Sequence, residues 1–161
     1  MIVIVMGVVG AGKTTVGKLL ASELGWQFAD ADDFHPAANV EKISHGIPLT
    51  DEDREPWLDR LRAAILELVA AGKPAVLACS ALKRSYRTRL QAAPEVRFVF
   101  LKGSAALIAQ RLRARHGHFA GEAILASQLA DLEEPDGAIA VDISRTPQQI
   151  VDQIRKALAL E

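Results

Sequence analysis

Short apolar runs alternate along the chain with longer stretches in which apolar residues recur every three or four positions. Ile2–Met6 is continuous and mostly β-branched, which suits a strand covered on both faces. Trp26–Ala29, Ala75–Cys79, Val96–Leu101 and Ala138–Asp142 have the same short, apolar form and complete a set of five predicted strands. Between the first two, Val16, Leu19, Leu20 and Leu24 fall on one helical face from Thr14 to Leu24, and Gly25 supplies the stop. A short helix is expected at Asn39–Ser44. A long one follows Thr50, which has the form of an N-cap with Asp53 three residues on. Its apolar face is Leu58, Leu61, Ile65, Leu68 and Val69, and it ends at Gly72, with Pro56 leaving its start open. Further helices are read over Leu82–Gln91, from Ser104 to about Arg115, over Glu122–Leu132, and from Thr146-Pro147 onward.

Strands alternating with helices imply an α/β fold, a parallel sheet with helices on both faces and right-handed crossovers. The irregular segments 30–55 and 113–121 read as insertions at the carboxyl edge of that sheet, where ligands bind in such folds. In the second, Gly117 and Gly121 bracket a loop expected to be mobile. The 161 residues make one domain's worth of chain, and half of them are apolar. Lys and Arg number 19 against 20 Asp and Glu, a net charge of −1 that argues against a dedicated nucleic-acid binder. One cysteine, Cys79, excludes a disulfide framework or a Cys-rich zinc site and reads as a buried thiol. No apolar run approaches the roughly 18 residues of a membrane span, and no signal peptide fits the start, so a soluble cytoplasmic protein is expected.

Gly7-Val8-Val9-Gly10-Ala11-Gly12-Lys13-Thr14 satisfies G-x-x-x-x-G-K-[ST] between a predicted strand and a predicted helix. Glycines let backbone N–H groups turn inward around a polyphosphate, and the helix N-terminus adds free donors. Lys13 is placed to bridge the β- and γ-phosphates of ATP, and the Thr14 hydroxyl to ligate Mg²⁺. Thr15 is either a further phosphate contact or an ordinary first-turn residue. The chain has no N-K-x-D guanine-reading motif and no long apolar run ending in Asp-Glu. What remains is a small phosphotransferase, whose acceptor must sit between nucleotide and protein with water excluded.

The remaining blocks are more specific. They are Asp30-Ala31-Asp32-Asp33-Phe34-His35-Pro36, then Asn39, Lys42, Gly46, Pro48 and Leu49, followed by 51–58 (DEDREPWL) and 79–87 (CSALKRSYR). Later come 98–103 (FVFLKG), 111–115 (RLRAR), Gly117-His118-Phe119, Ser127-Gln128-Leu129 and Leu132-Glu133-Glu134-Pro135. In this order the chain resembles the gluconate kinase (gluconokinase) family over essentially its whole length. Departures are mild: Ile43 replaces a usual methionine, and Asp33 stands where a bulkier apolar residue is common.

The resemblance implies ATP-dependent phosphorylation of D-gluconate to 6-phospho-D-gluconate. It also implies a P-loop kinase fold of nucleoside-monophosphate-kinase type with sheet order 2-3-1-4-5. One domain over residues 1–161 would carry an acceptor-binding insertion at about 33–60 and a lid at about 113–121, and would form a homodimer. In related kinases the second acid of a D-x-D after strand two faces the acceptor. Asp32 is therefore the candidate to orient the attacking hydroxyl, and Asp30 would reach Mg²⁺ through water. Asp33 reads better as a solvated loop acid.

A sugar acid requires a cation for its carboxylate, and Arg54 is the best clamp, because a guanidinium grips two oxygens in one plane. Lys83 and Arg87, four apart, were expected on one helical face reaching the same pocket, and Ser80 at the strand end. His35 either bonds a substrate hydroxyl or shapes the turn before Pro36. Trp57 reads as packing beneath the pocket. On the nucleotide side Arg115 is the candidate to stabilise the transferring phosphoryl group, with Arg111 along the adenine and Arg113 between them. Shikimate or a nucleoside monophosphate are alternative acceptors, although shikimate kinases carry glycines where this chain has Ser80-Ala81-Leu82-Lys83. An ATP-binding switch is the non-enzymatic alternative.

Overall fold

A computed structural model describes residues 1–116 and 120–160, without the side chains of 115–122. Five parallel strands form one sheet: β1 (Ile2–Met6), β2 (Gln27–Asp30), β3 (Ala75–Ala78), β4 (Val96–Lys102) and β5 (Ile139–Asp142). Their order is β2-β3-β1-β4-β5, as the resemblance implied. Seven helices are described: α1 (Lys13–Leu24), α2 (Ala37–Ser44), α3 (Asp51–Ala70), α4 (Arg84–Leu90), α5 (Ala105–His116), α6 (Ala120–Asp131) and α7 (Pro147–Ala157).

The central strand shows why the sheet needs two layers of helix. All five residues of β1 are buried, and alternate side chains enter different cores. Val3 and Val5 join Val16 and Leu20 of α1, Ile108 and Leu112 of α5, Leu125 of α6 and Ile150 and Ile154 of α7. Ile2, Ile4 and Met6 instead meet Trp57, Leu58, Leu61 and Ile65 of α3 with Tyr86 and Leu90 of α4. Each such aliphatic side chain, fully removed from water, contributes about 1.5–3 kcal/mol.

Helix ends follow the local chemistry. Thr50 and Asp53 close a reciprocal capping box at the start of α3, and Thr146 and Gln149 do the same for α7. Pro56 lies inside α3 rather than before it. It is exposed, and so is Glu52, whose carbonyl loses its helical partner and retains access to water. Trp26 is not in β2, because its N–H donates to the Ala21 carbonyl and closes the C-terminus of α1. The helix expected from Leu82 starts two residues later. Ala81 adopts a left-handed φ of 47°, and Lys83 is an extended N-cap.

Because the strands are parallel, their carboxyl ends share one edge. There Asp30 pairs in register with Ala78, and Met6 with Phe100. The loops leaving β1, β2 and β3 therefore meet at that edge.

Candidate active site

The loop leaving β1 turns back on itself at Gly10 and Gly12, whose φ values of +81° and +98° suit glycine. A Cβ on Gly10 would also lie 2.8 Å from Leu112 Cγ, so α5 packs directly on the loop. Lys13 folds over the turn, its Nζ donating to the Val8 carbonyl at 3.1 Å. Burial pulls its pKa below the ordinary lysine value, against the nearby thiol of Cys79 and the carboxylates of Asp32 and Asp30. Thr14 and Thr15 are exposed in the first turn of α1.

Two clefts flank this loop. One, of about 300 Å³, brings Lys13, Thr14 and Thr15 together with Asp30, Asp32 and Ser80. The other, of about 420 Å³, lies across Gly10–Gly12 and is bounded by Arg111, Arg145, Pro147 and Ile150. Arg111 donates to the Ile143 carbonyl at 2.5 Å, which holds its guanidinium along that second cleft.

The acidic wall comes from the end of β2. Asp30 Oδ1 accepts the Asp32 backbone N–H at 2.9 Å and so caps the 3-10 turn Ala31–Phe34. Asp32 directs its exposed carboxylate into the cleft. Although the carboxylate stays open to water, the walls of the cleft and then Asp30 raise its pKa, against the pull of His35 and Lys13. Asp33 is exposed and does not line the cleft. His35 stacks on Trp57 with ring centroids 4.6 Å apart and planes 13° from parallel. Trp57 is itself anchored through Nε1–H to the Ala31 carbonyl at 2.7 Å. Burial lowers the His35 pKa, partly offset by Asp32.

The first turn of α3 meets the start of α4. Lys83 Nζ lies 3.0 Å from Asp51 Oδ1, and Arg54 donates to the Tyr86 hydroxyl at 3.0 Å. The Tyr86 hydroxyl in turn donates to Asp51. Asp51 is held below the usual carboxylate range by the Tyr86 hydroxyl and then by Lys83. Asp53, which also receives Lys42 Nζ at 2.9 Å, is lowered to about 2, chiefly by the Thr50 N–H.

Arg87 is used differently from the expectation. Its guanidinium donates to the carbonyls of Ala81 at 2.7 Å, Leu82 at 3.0 Å and Glu133 at 2.7 Å, bracing the turn after β3. The side chain is thus directed into the protein's own backbone, and it lines a separate cleft with Thr88, Arg97 and Phe98. Cys79 is buried and its thiol is pushed up to about 12 by burial, as befits a core residue. The Arg115 side chain and most of the expected lid, including 117–119, lie outside the described residues.

Several site residues carried no role in the sequence reading. Gln128 of α6 accepts the Val9 N–H of the phosphate loop through Oε1 at 2.6 Å. Asn39 bonds His35, Asp51 and Tyr86 join the two cations, and Arg145 lines the second cleft. Gln128, Asn39, Asp51 and Tyr86 all fall within the blocks that carry the family resemblance. Periodicity alone gave no reason to single them out.

A phosphate loop at the carboxyl edge of a 2-3-1-4-5 sheet, sharing one cleft with two acids and a serine, defines a P-loop kinase of the small-molecule type. The family model described as shikimate kinase matches residues 9–159. A gluconokinase of Gluconobacter oxydans is 47% identical over 155 residues, 94% of this chain and 87% of that protein. A gluconokinase structure from Sinorhizobium meliloti superposes with a TM-score of 0.86 at 46% identity, covering 98% of this chain and 90% of the other. An unliganded sugar kinase from Janibacter gives 0.90 at 42%, covering 99% and 94%. The chain belongs to the gluconokinase family within these shikimate kinase-type P-loop domains.

Proposed function

We propose that the protein is a gluconokinase, transferring the γ-phosphoryl group of ATP to the 6-hydroxyl of D-gluconate to give 6-phospho-D-gluconate and ADP. The observation that carries this reading is the shared cleft of Lys13 and Asp32, together with the Arg54–Lys83 cluster formed where α3 meets α4. One molecule with a hydroxyl at one end and a carboxylate at the other matches that layout.

The loop amides from Gly7 to Thr14, with Lys13, cradle the β- and γ-phosphates, and Arg111 and Arg145 border the purine side. Asp32 accepts the hydrogen bond of the attacking hydroxyl and aligns it with the phosphorus. Phosphoryl transfer is largely dissociative, so this alignment matters more than a strong base, and the raised pKa of Asp32 still favours its receiving the proton. Arg54 and Lys83 take the substrate carboxylate, and Ser80 and His35 its hydroxyls. Arg115 remains our candidate for the charge developing on the transferred group.

The Thr14 hydroxyl and the Asp30 carboxylate are hard oxygen donors lining one cleft, a donor set that suits Mg²⁺ retaining several waters. When bound, that ion would neutralise charge on the β- and γ-oxygens. A single catalytic domain with an acceptor insertion at about 33–60 and a lid at about 113–121, working in the cytoplasm as a homodimer, completes the proposal. Among the described residues no helix is long and apolar enough to cross a membrane.

The test is ADP release from Mg·ATP with D-gluconate, shikimate, AMP or no acceptor. Gluconate-dependent release alone supports the reading. Release with another acceptor keeps the kinase and overturns the pocket assignments. ATP binding without turnover on any acceptor overturns the enzyme.

A further inference from the structure

Asn39 is a buried polar residue of α2, 3% exposed, and the transfer chemistry above does not use it. Its Nδ2 lies 2.8 Å from the Asp53 backbone carbonyl and 3.2 Å from His35 Nδ1. A carbonyl only accepts, so the amide edge facing Asp53 must be the NH₂ group, which fixes the orientation of the side chain. The second hydrogen of the same nitrogen then points at His35 Nδ1. That ring nitrogen must be the bare acceptor, and in a neutral imidazole the proton sits on Nε2. Nε2 faces the Asp32 carboxylate at 3.9 Å, and Asp32 in turn lines the cleft.

Two neighbours therefore fix two different properties of one ring. Trp57 sets its plane by stacking, and Asn39 sets which nitrogen carries the hydrogen. We infer that Asn39 is a positioning residue that locks His35 as the Nε2–H tautomer, so that a neutral donor is presented beside Asp32 to the acceptor's hydroxyls. Charging the ring would place an Nδ1–H against the Asn39 NH₂. The groups facing the ring agree in part: its side chain is 6% exposed and burial favours the neutral form, Arg54 adds to this, and Asp32 opposes it. The tautomer follows from the hydrogen-bond geometry alone, whereas the role toward a hydroxyl rests on the gluconokinase reading.

Long-range ¹H–¹⁵N spectra of the ligand-free protein at neutral pH test the tautomer without any substrate. His35 should show a protonated Nε2 and a bare Nδ1. Asn39→Asp puts a carboxylate against Nδ1 and should draw a proton to it. That variant should also lower kcat/KM for gluconate about tenfold, the worth of one well-placed hydrogen bond, with the KM for ATP unchanged. His35→Gln restores an N–H donor near the Nε2 position and should retain more activity than His35→Leu.

A wild-type spectrum with the proton on Nδ1 overturns the proposal even if Asn39→Asp fails to fold. So does a folded Asn39→Asp protein whose His35 spectrum is unchanged, and so does equal activity of the Gln and Leu variants. Absence of gluconate-dependent turnover in the wild type would overturn the functional reading and leave the tautomer result standing.

Discussion

Replacing Arg87 with methionine separates a structural arginine from a substrate-binding one. The native guanidinium makes three bonds to backbone carbonyls, and the residue is 7% exposed. Hydrogen bonds from a charged donor contribute about 1.5–3 kcal/mol each, so their loss alone would cost at least about 4 kcal/mol. Methionine returns part of this, because a desolvated cation is removed and the apolar stem is retained. A net loss of about 3 kcal/mol follows, or a fall of about 6–12 °C in Tm for a chain of this size. The first of the three bonds lands on Ala81, whose left-handed backbone costs about 1–2 kcal/mol, so relief of that strain in the variant also limits the net loss. Guanidinium denaturation gives the stability change, and steady-state kinetics on the folded variant give the KM for gluconate, expected within about twofold of wild type by the same geometry. An unchanged denaturation midpoint with a KM raised tenfold or more would refute this account and return Arg87 to the substrate pocket.

Lys13→Ala should lower kcat/KM by about 10³ while leaving the Tm unchanged or slightly raised, since a desolvated cation is removed; near-normal turnover would contradict the phosphate-loop assignment. Asp32→Asn should reduce kcat by at least about a hundredfold with little change in ATP affinity, and a matching loss of affinity would place Asp32 in the metal site instead. Asp53, lowered from 3.8 to about 2, stabilises the fold above pH 4, and that contribution is lost as pH falls toward 2. Acid titration of Asp53→Asn should show a shallower loss of stability in this window than wild type. Gly10→Ala should destabilise by about 1–3 kcal/mol through the clash with Leu112, and Leu112→Ala in the same chain should recover part of that, measured by a double-mutant cycle.

The sheet is readable because β1 and β3 are apolar on both faces and no helical period fits so short a run. The phosphate loop was readable because its spacing has one physical purpose. Boundaries slipped where backbone bonding outweighed side-chain pattern: Trp26 is apolar, yet its N–H is spent on α1, and Leu82 is apolar, yet Ala81 bends the chain before it. The site was half legible. Asp30, Asp32, Arg54 and Lys83 are charged residues in places where charge needs a reason. Arg87 looked equivalent to Lys83 at four-residue spacing, but Lys83 turned out to be the N-cap and Arg87 the buried residue. Gln128 bonds a neighbour 119 positions away and the Asn39 amide is oriented by one 14 positions away, relations that exist only after folding.

Asp51 has a consequence for which acids can enter. Arg54 and Lys83 are not bare cations, because Asp51 and the Tyr86 hydroxyl bond them. Together the three charged groups leave a surplus of one positive charge, so in the role proposed for it this cluster would select by counting. A monocarboxylate would cancel the surplus, a neutral polyol would leave it unspent, and a diacid would bring a second anion for which this cluster has no further cation.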